Sequence, residues 1–241
     1  MLHLVSDDPA LQSLKPYCIT RESFERLLNF LESGSYTTTT FKSLVGENKK
    51  HGSKKVILTF DDCYRSLFDF VIPELQKRNM TAVFFMPAAN IGGFNEWDNR
   101  EGHAKLPLMN HGELLDLKRM GMEVGSHSCH HVRLASPPAG IRIEEEISSS
   151  KSELEEIIGE PVISFAYPYG SVPKGYKNLL KKSGYRFGLS IFHAFYSRWA
   201  LRRIIYHDGD TARSMKIKLS PVYSVYRQFL DIWKGAGSYA N

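Results

Sequence analysis

The sequence predicts an α/β fold built on a parallel sheet. Short β-rich apolar runs alternate with segments of helical periodicity along most of the chain, the pattern of right-handed βαβ units. A length of 241 residues, with 42% hydrophobic and 24% charged composition, supports one large domain with a full core and excludes a disordered or fibrous chain. The alternation is compatible with an open doubly wound sheet and with a closed barrel. No Gly-x-Gly-x-x-Gly follows the first strand, which counts against a dinucleotide-binding sheet.

The elements follow in order. Residues 19–31 read as a helix, with Thr20 a suitable N-cap and Phe24, Leu27, Leu28 and Leu31 on one apolar stripe. Residues 46–55 are polar and basic and predict a loop. The run Val56-Ile57-Leu58-Thr59-Phe60 fits a buried strand, and 63–78 return to a helical period on Leu67, Phe68, Val71 and Leu75. Further strands are expected at 81–86, 122–126, 162–166, 186–190 and 201–206. Helices are expected through Leu114, Leu117 and Met120 to a stop at Gly121, over 143–158 to a stop at Gly159 and Pro161, and over 176–182 to a stop at Gly184. Residues 87–110 make a long insertion, often a sign of a functional loop.

The chain is expected to be one domain over 1–241, with 1–55 a helical N-terminal extension and 219–241 a C-terminal helix. In the latter, Leu219, Val222, Tyr223, Tyr226, Phe229, Leu230 and Trp233 recur at helical spacing, and Pro221 suits a first turn. A terminal helix of this kind ordinarily buries its aromatics against the core. The sharper reading is a peripheral membrane contact through 221–234, with Lys216, Lys218, Arg227 and Lys234 meeting anionic lipid.

A net charge of +5 is too weak to imply nucleic-acid binding. Three cysteines, Cys18, Cys63 and Cys129, imply no disulfide framework and favour a reducing compartment. Residues 1–8 show neither the basic nor the apolar part of a signal peptide, and no apolar run approaches the ~18 residues of a span. The expectation is a cytoplasmic protein, associated with a membrane peripherally if at all.

Three unusual clusters fall at the C-terminal ends of three predicted strands, the edge where parallel α/β folds build sites. They are Asp61-Asp62, then His127-Ser128-Cys129-His130-His131, then Tyr167-Pro168-Tyr169-Gly170. Adjacent carboxylates leaving a strand diverge, so one can bind a metal while the other acts as a base; alone, the pair could equally be a helix cap. His127 and His131 are four apart, which would bring both imidazoles to one face of a helical turn. Two histidines and a carboxylate with an open position make a catalytic divalent-metal pattern, so Asp62, His127 and His131 are the expected ligands. His130 is expected to turn away and Cys129 to be a small buried filler.

The segments Thr59-Phe60-Asp61-Asp62, Ser126-His127-Ser128-Cys129-His130-His131 and Phe165-Ala166-Tyr167-Pro168-Tyr169-Gly170 resemble the polysaccharide deacetylases. These are the proteins of the NodB homology domain, carbohydrate esterase family four. The third segment is similar to a branch associated with exopolysaccharide production. The resemblance implies a distorted (β/α) barrel with one divalent metal, zinc first, and cobalt, nickel or manganese as alternatives. It implies Asp61 as catalytic base, Asp62, His127 and His131 as metal ligands, and the Tyr169 N–H as an oxyanion donor. This chain carries Cys63 where the family usually has glycine and Ala166 where it usually has arginine; Arg203, on a later strand, is the matching substitute. The family's fourth motif has no clear match, and its fifth is met loosely by Ile204-Ile205-Tyr206-His207. His207 is therefore the candidate general acid, with His193 in reserve.

The resemblance implies a metal-dependent hydrolase that removes N-acetyl groups from an N-acetylhexosamine polysaccharide or its precursor. An amidohydrolase acting on a non-sugar C–N bond is the alternative. A carbohydrate-binding pseudo-enzyme is disfavoured by the intact acidic pair and histidines.

Overall fold

The computed structural model describes residues 1–14, 17–46, 54–100, 102–191 and 197–233. In chain order the elements are β1 (Leu4–Val5), β2 (Cys18–Ile19), α1 (Arg21–Ser33), β3 (Tyr36–Thr38), α2 (Phe41–Gly46), β4 (Lys54–Val56), β5 (Leu58–Asp61), α3 (Val71–Lys77) and β6 (Ala82–Met86). They continue with α4 (Glu96–Arg100), α5 (His111–Arg119), β7 (Glu123–Ser126), α6 (Ile143–Ile158), β8 (Ser164–Ala166), α7 (Tyr176–Lys182), β9 (Phe187–Ser190), β10 (Leu201–Arg202), α8 (Ala212–Lys218) and α9 (Pro221–Trp233). A six-stranded sheet runs in the order β10-β9-β8-β7-β6-β5, with two-stranded sheets β1-β2 and β3-β4 beside it in sequence. The ladders β5–β6, β7–β8, β8–β9 and β9–β10 are parallel. This is the α/β architecture the alternation predicts.

Packing divides the chain into two compact units. The first comprises Met1–Phe85, Asn90–Val124 and Tyr206–Ala212. Here α1 starts where expected: the Thr20 hydroxyl accepts the Ser23 N–H, and Thr20 itself donates from N–H and hydroxyl to Asp208 Oδ1, both at 2.8 Å. Its stripe is buried, with Phe24 set edge-on to Phe60 at 6.0 Å, and Phe60 stacked on Phe84 at 5.0 Å. The N-terminal residues lie alongside β5: the Leu2 N–H donates to Thr59 O, and the Asp61 N–H donates to Leu2 O. Residues 1–55 carry short strands as well as helices.

Two expectations are corrected in this unit. The run 56–60 serves two sheets, because Lys54–Val56 pairs with β3 while Leu58–Asp61 pairs with β6. The helix expected over 63–78 is a 3₁₀ turn, Arg65–Phe68, followed by α3. Asp62 and Cys63 have left-handed backbones (φ +68° and +52°) and Phe70 has φ −142°, so no continuous α-helix can pass through them.

The second unit comprises Met86–Ala89, Gly125–Ile205 and the described residues from Arg213 onward. Here α6 has the expected bounds and ends at Gly159, which takes the left-handed C-cap conformation at φ 63°. Ile147, Leu154 and Ile158 are buried, and Phe165 meets Tyr167 and Tyr185 edge-on, each at 5.2 Å. The strand expected over 201–206 is only Leu201–Arg202, because its partner β9 ends at Ser190, whose carbonyl takes a last N–H from Arg203. The terminal helix starts at Pro221 as expected, but its aromatics are not buried. Phe229 is 70% and Trp233 81% exposed, because the helix is half-buried on its other side, through Tyr223, Ser224, Arg227, Gln228 and Leu230.

Candidate active site

Asp61 ends β5 and is buried. Asp62 follows with its left-handed backbone, so the two carboxylates diverge. Asp61 Oδ2 lies 3.9 Å from His3 Nε2. Nothing in the sequence singles out His3, a lone histidine between Leu2 and Leu4.

After β7, residues 127–131 form an irregular loop and not the helical turn that the four-residue spacing suggests; Ser128 and His131 both have positive φ (64° and 53°). The spacing works through a different device: the Ser128 hydroxyl accepts the His131 N–H at 3.1 Å. The imidazole rings of His127 and His131 stand 4.9 Å apart at 66°. His127 Nδ1 is 2.8 Å from the Ala166 carbonyl. A carbonyl only accepts, so Nδ1 carries the proton and Nε2 presents its lone pair, as a metal ligand must.

The loop is held from beneath by Glu146, in the first turn of α6 and 3% exposed. Its Oε2 accepts the N–H groups of Cys129 and His130 at 3.1 and 2.9 Å, and its Oε1 accepts from His130 Nδ1 at 2.5 Å. His130 thus turns away from the other imidazoles, as expected. Burial, followed by the Glu146 carboxylate, pushes the Cys129 thiol up to about 12, which suits a filler and not a thiolate ligand. Glu146 escaped the sequence reading because it stands in a run of three glutamates that any helix N-terminus would favour.

Tyr169 also has a left-handed backbone (φ 57°). Its ring lies 4.7 Å from that of His131, with the Arg133 guanidinium 4.1 Å from its centroid. Arg203 is buried at the end of β10. His207 sits on an exposed turn, where its N–H donates to Asp210 Oδ2 at 2.8 Å; His193 lies outside the described residues. Asp62, Cys63, Ser128, His131 and Tyr169 all have positive φ, a concentration of backbone strain typical of functional sites.

Among the described residues, Asp62, His127 and His131 form a buried group whose donor atoms all lie within 4.8 Å of one another. Asp61, Cys129 and His130 stand outside it. Two imidazoles and a carboxylate, with one imidazole tautomer fixed by a carbonyl, fit a divalent cation that keeps positions open for other ligands.

A family model described as polysaccharide deacetylase matches residues 48–188. The Bacillus subtilis (strain 168) protein YxkH is 24% identical over 216 residues, covering 87% of this chain and 71% of its own. A poly-β-1,6-N-acetyl-D-glucosamine N-deacetylase of Staphylococcus aureus is 22% identical over 190 residues; the match covers 75% of this chain but only 63% of that protein. The solved structure of the Streptococcus pyogenes deacetylase PplD, in complex with acetate, superposes with a TM-score of 0.76 at 18% identity, covering 92% of this chain and 96% of that one. The six-stranded sheet is the curled half-barrel of that fold.

Proposed function

Because this chain belongs to the polysaccharide deacetylase family, hydrolases of carbon–nitrogen bonds, we propose that it removes N-acetyl groups from an N-acetylhexosamine glycan in a metal-dependent reaction. The observation that carries this reading is the buried Asp62-His127-His131 group. A divalent cation held there would supply Lewis-acid activation of the acetamide carbonyl and of the attacking water; zinc is the first choice, because imidazole and carboxylate suit it, with cobalt, nickel or manganese as alternatives.

In this reading Asp61, beside the ligand group but not part of it, takes the proton of the attacking water. The Tyr169 main-chain N–H donates to the oxygen that gains negative charge at the carbonyl, and Arg203 adds positive charge near it. The leaving nitrogen needs a proton, and an imidazole can deliver it. His207 is one candidate. His3 is the better one, because its Nε2 lies 3.9 Å from Asp61 Oδ2 and so beside the proposed base. Poly-β-1,6-N-acetylglucosamine is the first substrate to try, given the staphylococcal relative.

The test is acetate release from a panel of N-acetylated glycans, with the full chain stripped of metal and then reloaded with zinc. Release that depends on zinc supports the proposal. Hydrolysis of simple acetamides with no release from any glycan would favour an amidohydrolase on a non-sugar bond.

A further inference from the structure

The strongest feature outside the active site is the outer side of α9. Val222, Val225, Tyr226, Phe229 and Trp233 share one stripe and are 77%, 54%, 57%, 70% and 81% exposed, and Ile217 of α8 adds a further 53%. The half-buried side holds Tyr223, Ser224, Arg227, Gln228 and Leu230. The larger apolar stripe is thus the one that faces solvent, whereas such a stripe usually faces the core. Single exposed apolar residues are ordinary, but a contiguous aromatic stripe marks an interaction surface, for a protein or for a membrane.

The composition favours the membrane. Tyrosine, phenylalanine and tryptophan suit the boundary between lipid headgroups and acyl chains. Arg213 and Lys216 are exposed beside the stripe, and residues 212–233 contain four basic residues against a single acid, Asp231. Aromatics and cations together match an acidic phospholipid surface. Among the described residues no helix is long and apolar enough to cross a membrane. The remaining geometry is a helix lying in the plane of the interface.

We propose that α8 and α9 form an in-plane anchor for anionic membranes, with Phe229 and Trp233 entering the interface and Arg213 and Lys216 meeting lipid headgroups. The anchor is independent of the catalytic reading.

The experiment is sedimentation of the full chain with vesicles of phosphatidylcholine alone or mixed with phosphatidylglycerol. Wild type should pellet with the mixed vesicles, less so at high salt, with a blue shift of tryptophan emission. Phe229→Ser with Trp233→Ser should lower partitioning by about tenfold or more without lowering the melting temperature, because both side chains already face water. Arg213→Glu with Lys216→Glu should weaken binding to the mixed vesicles only, and it decides the matter if the first variant folds poorly. Absence of wild-type binding, or equal binding by both variants, overturns the proposal. So does a wild-type dimer in ultracentrifugation that the Phe229, Trp233 variant makes monomeric, since a second copy would then cover the face.

Discussion

His3 Nε2 stands 3.9 Å from Asp61 Oδ2, with the two side chains only 13% and 3% exposed. The residues are far apart in sequence and meet because Leu2 is hydrogen-bonded on both sides of Phe60, to Thr59 and to Asp61. The pairing turns an N-terminal histidine into a neighbour of the proposed base.

His3→Ala should slow N-deacetylation by about 10²-fold and slow an activated ester less, since an ester leaving group needs less protonation. His207→Ala should cost less on both substrates. Parallel kinetics on an acetamide and an aryl acetate check this. A larger amide-selective loss in the His207 variant would assign the proton donor to that residue instead.

Asp61→Asn should keep bound metal and lose about 10²–10⁴-fold in turnover. His131→Ala should lose metal and activity together. Metal content after dialysis, measured beside turnover, distinguishes the two roles.

Glu146→Ala should leave the Cys129 and His130 N–H groups without their acceptor, at about 1–3 kcal/mol for the buried Cys129 donor and less for the part-buried His130 one. The melting temperature and the affinity for zinc, measured by chelator competition, should both fall. Glu146→Gln keeps one acceptor oxygen and should recover part of each; if zinc affinity is unchanged in both variants, Glu146 supports the fold but does not position the ligands.

Tyr185 offers a pH test. Its hydroxyl donates to Ile147 O at 3.1 Å, and burial raises its pKa above the ordinary tyrosine value. The folded state thus holds this proton more tightly than the unfolded state does. The resulting stabilisation is complete below the unfolded value of about 10 and is lost as pH rises beyond it. Tyr185→Phe should cost about 1 kcal/mol near neutrality and show a shallower decline in melting temperature above pH ~10.

The Asp62, His127 and His131 cluster was legible because three motifs sit at strand ends, yet the reason for the His127–His131 spacing was not. Spacing alone suggests a helical turn, whereas Ser128 and His131 form the loop through positive φ. His3 was invisible because its role depends on strand pairing between distant segments. The side to which α9 turns its stripe was equally hidden: a period of 3.6 says which residues share a face, not which way the face looks. The bounds of α6 were legible in full because apolar spacing and the Gly159 stop agree.

The left-handed backbones at Asp62, Cys63, Ser128, His131 and Tyr169 also act as a filter on drift. At Cys63, whose side chain performs no chemistry in the proposed reaction, torsion angles and burial together decide which neutral substitutions survive. Glycine enters at the cost of a small void, and asparagine or aspartate suit the backbone but meet a buried pocket; valine and isoleucine are barred by their branched Cβ. Lineages that change the glycan they process would then be expected to keep the same narrow alphabet at this turn, so variation there would record backbone geometry, while changes of substrate would be written elsewhere on the molecule.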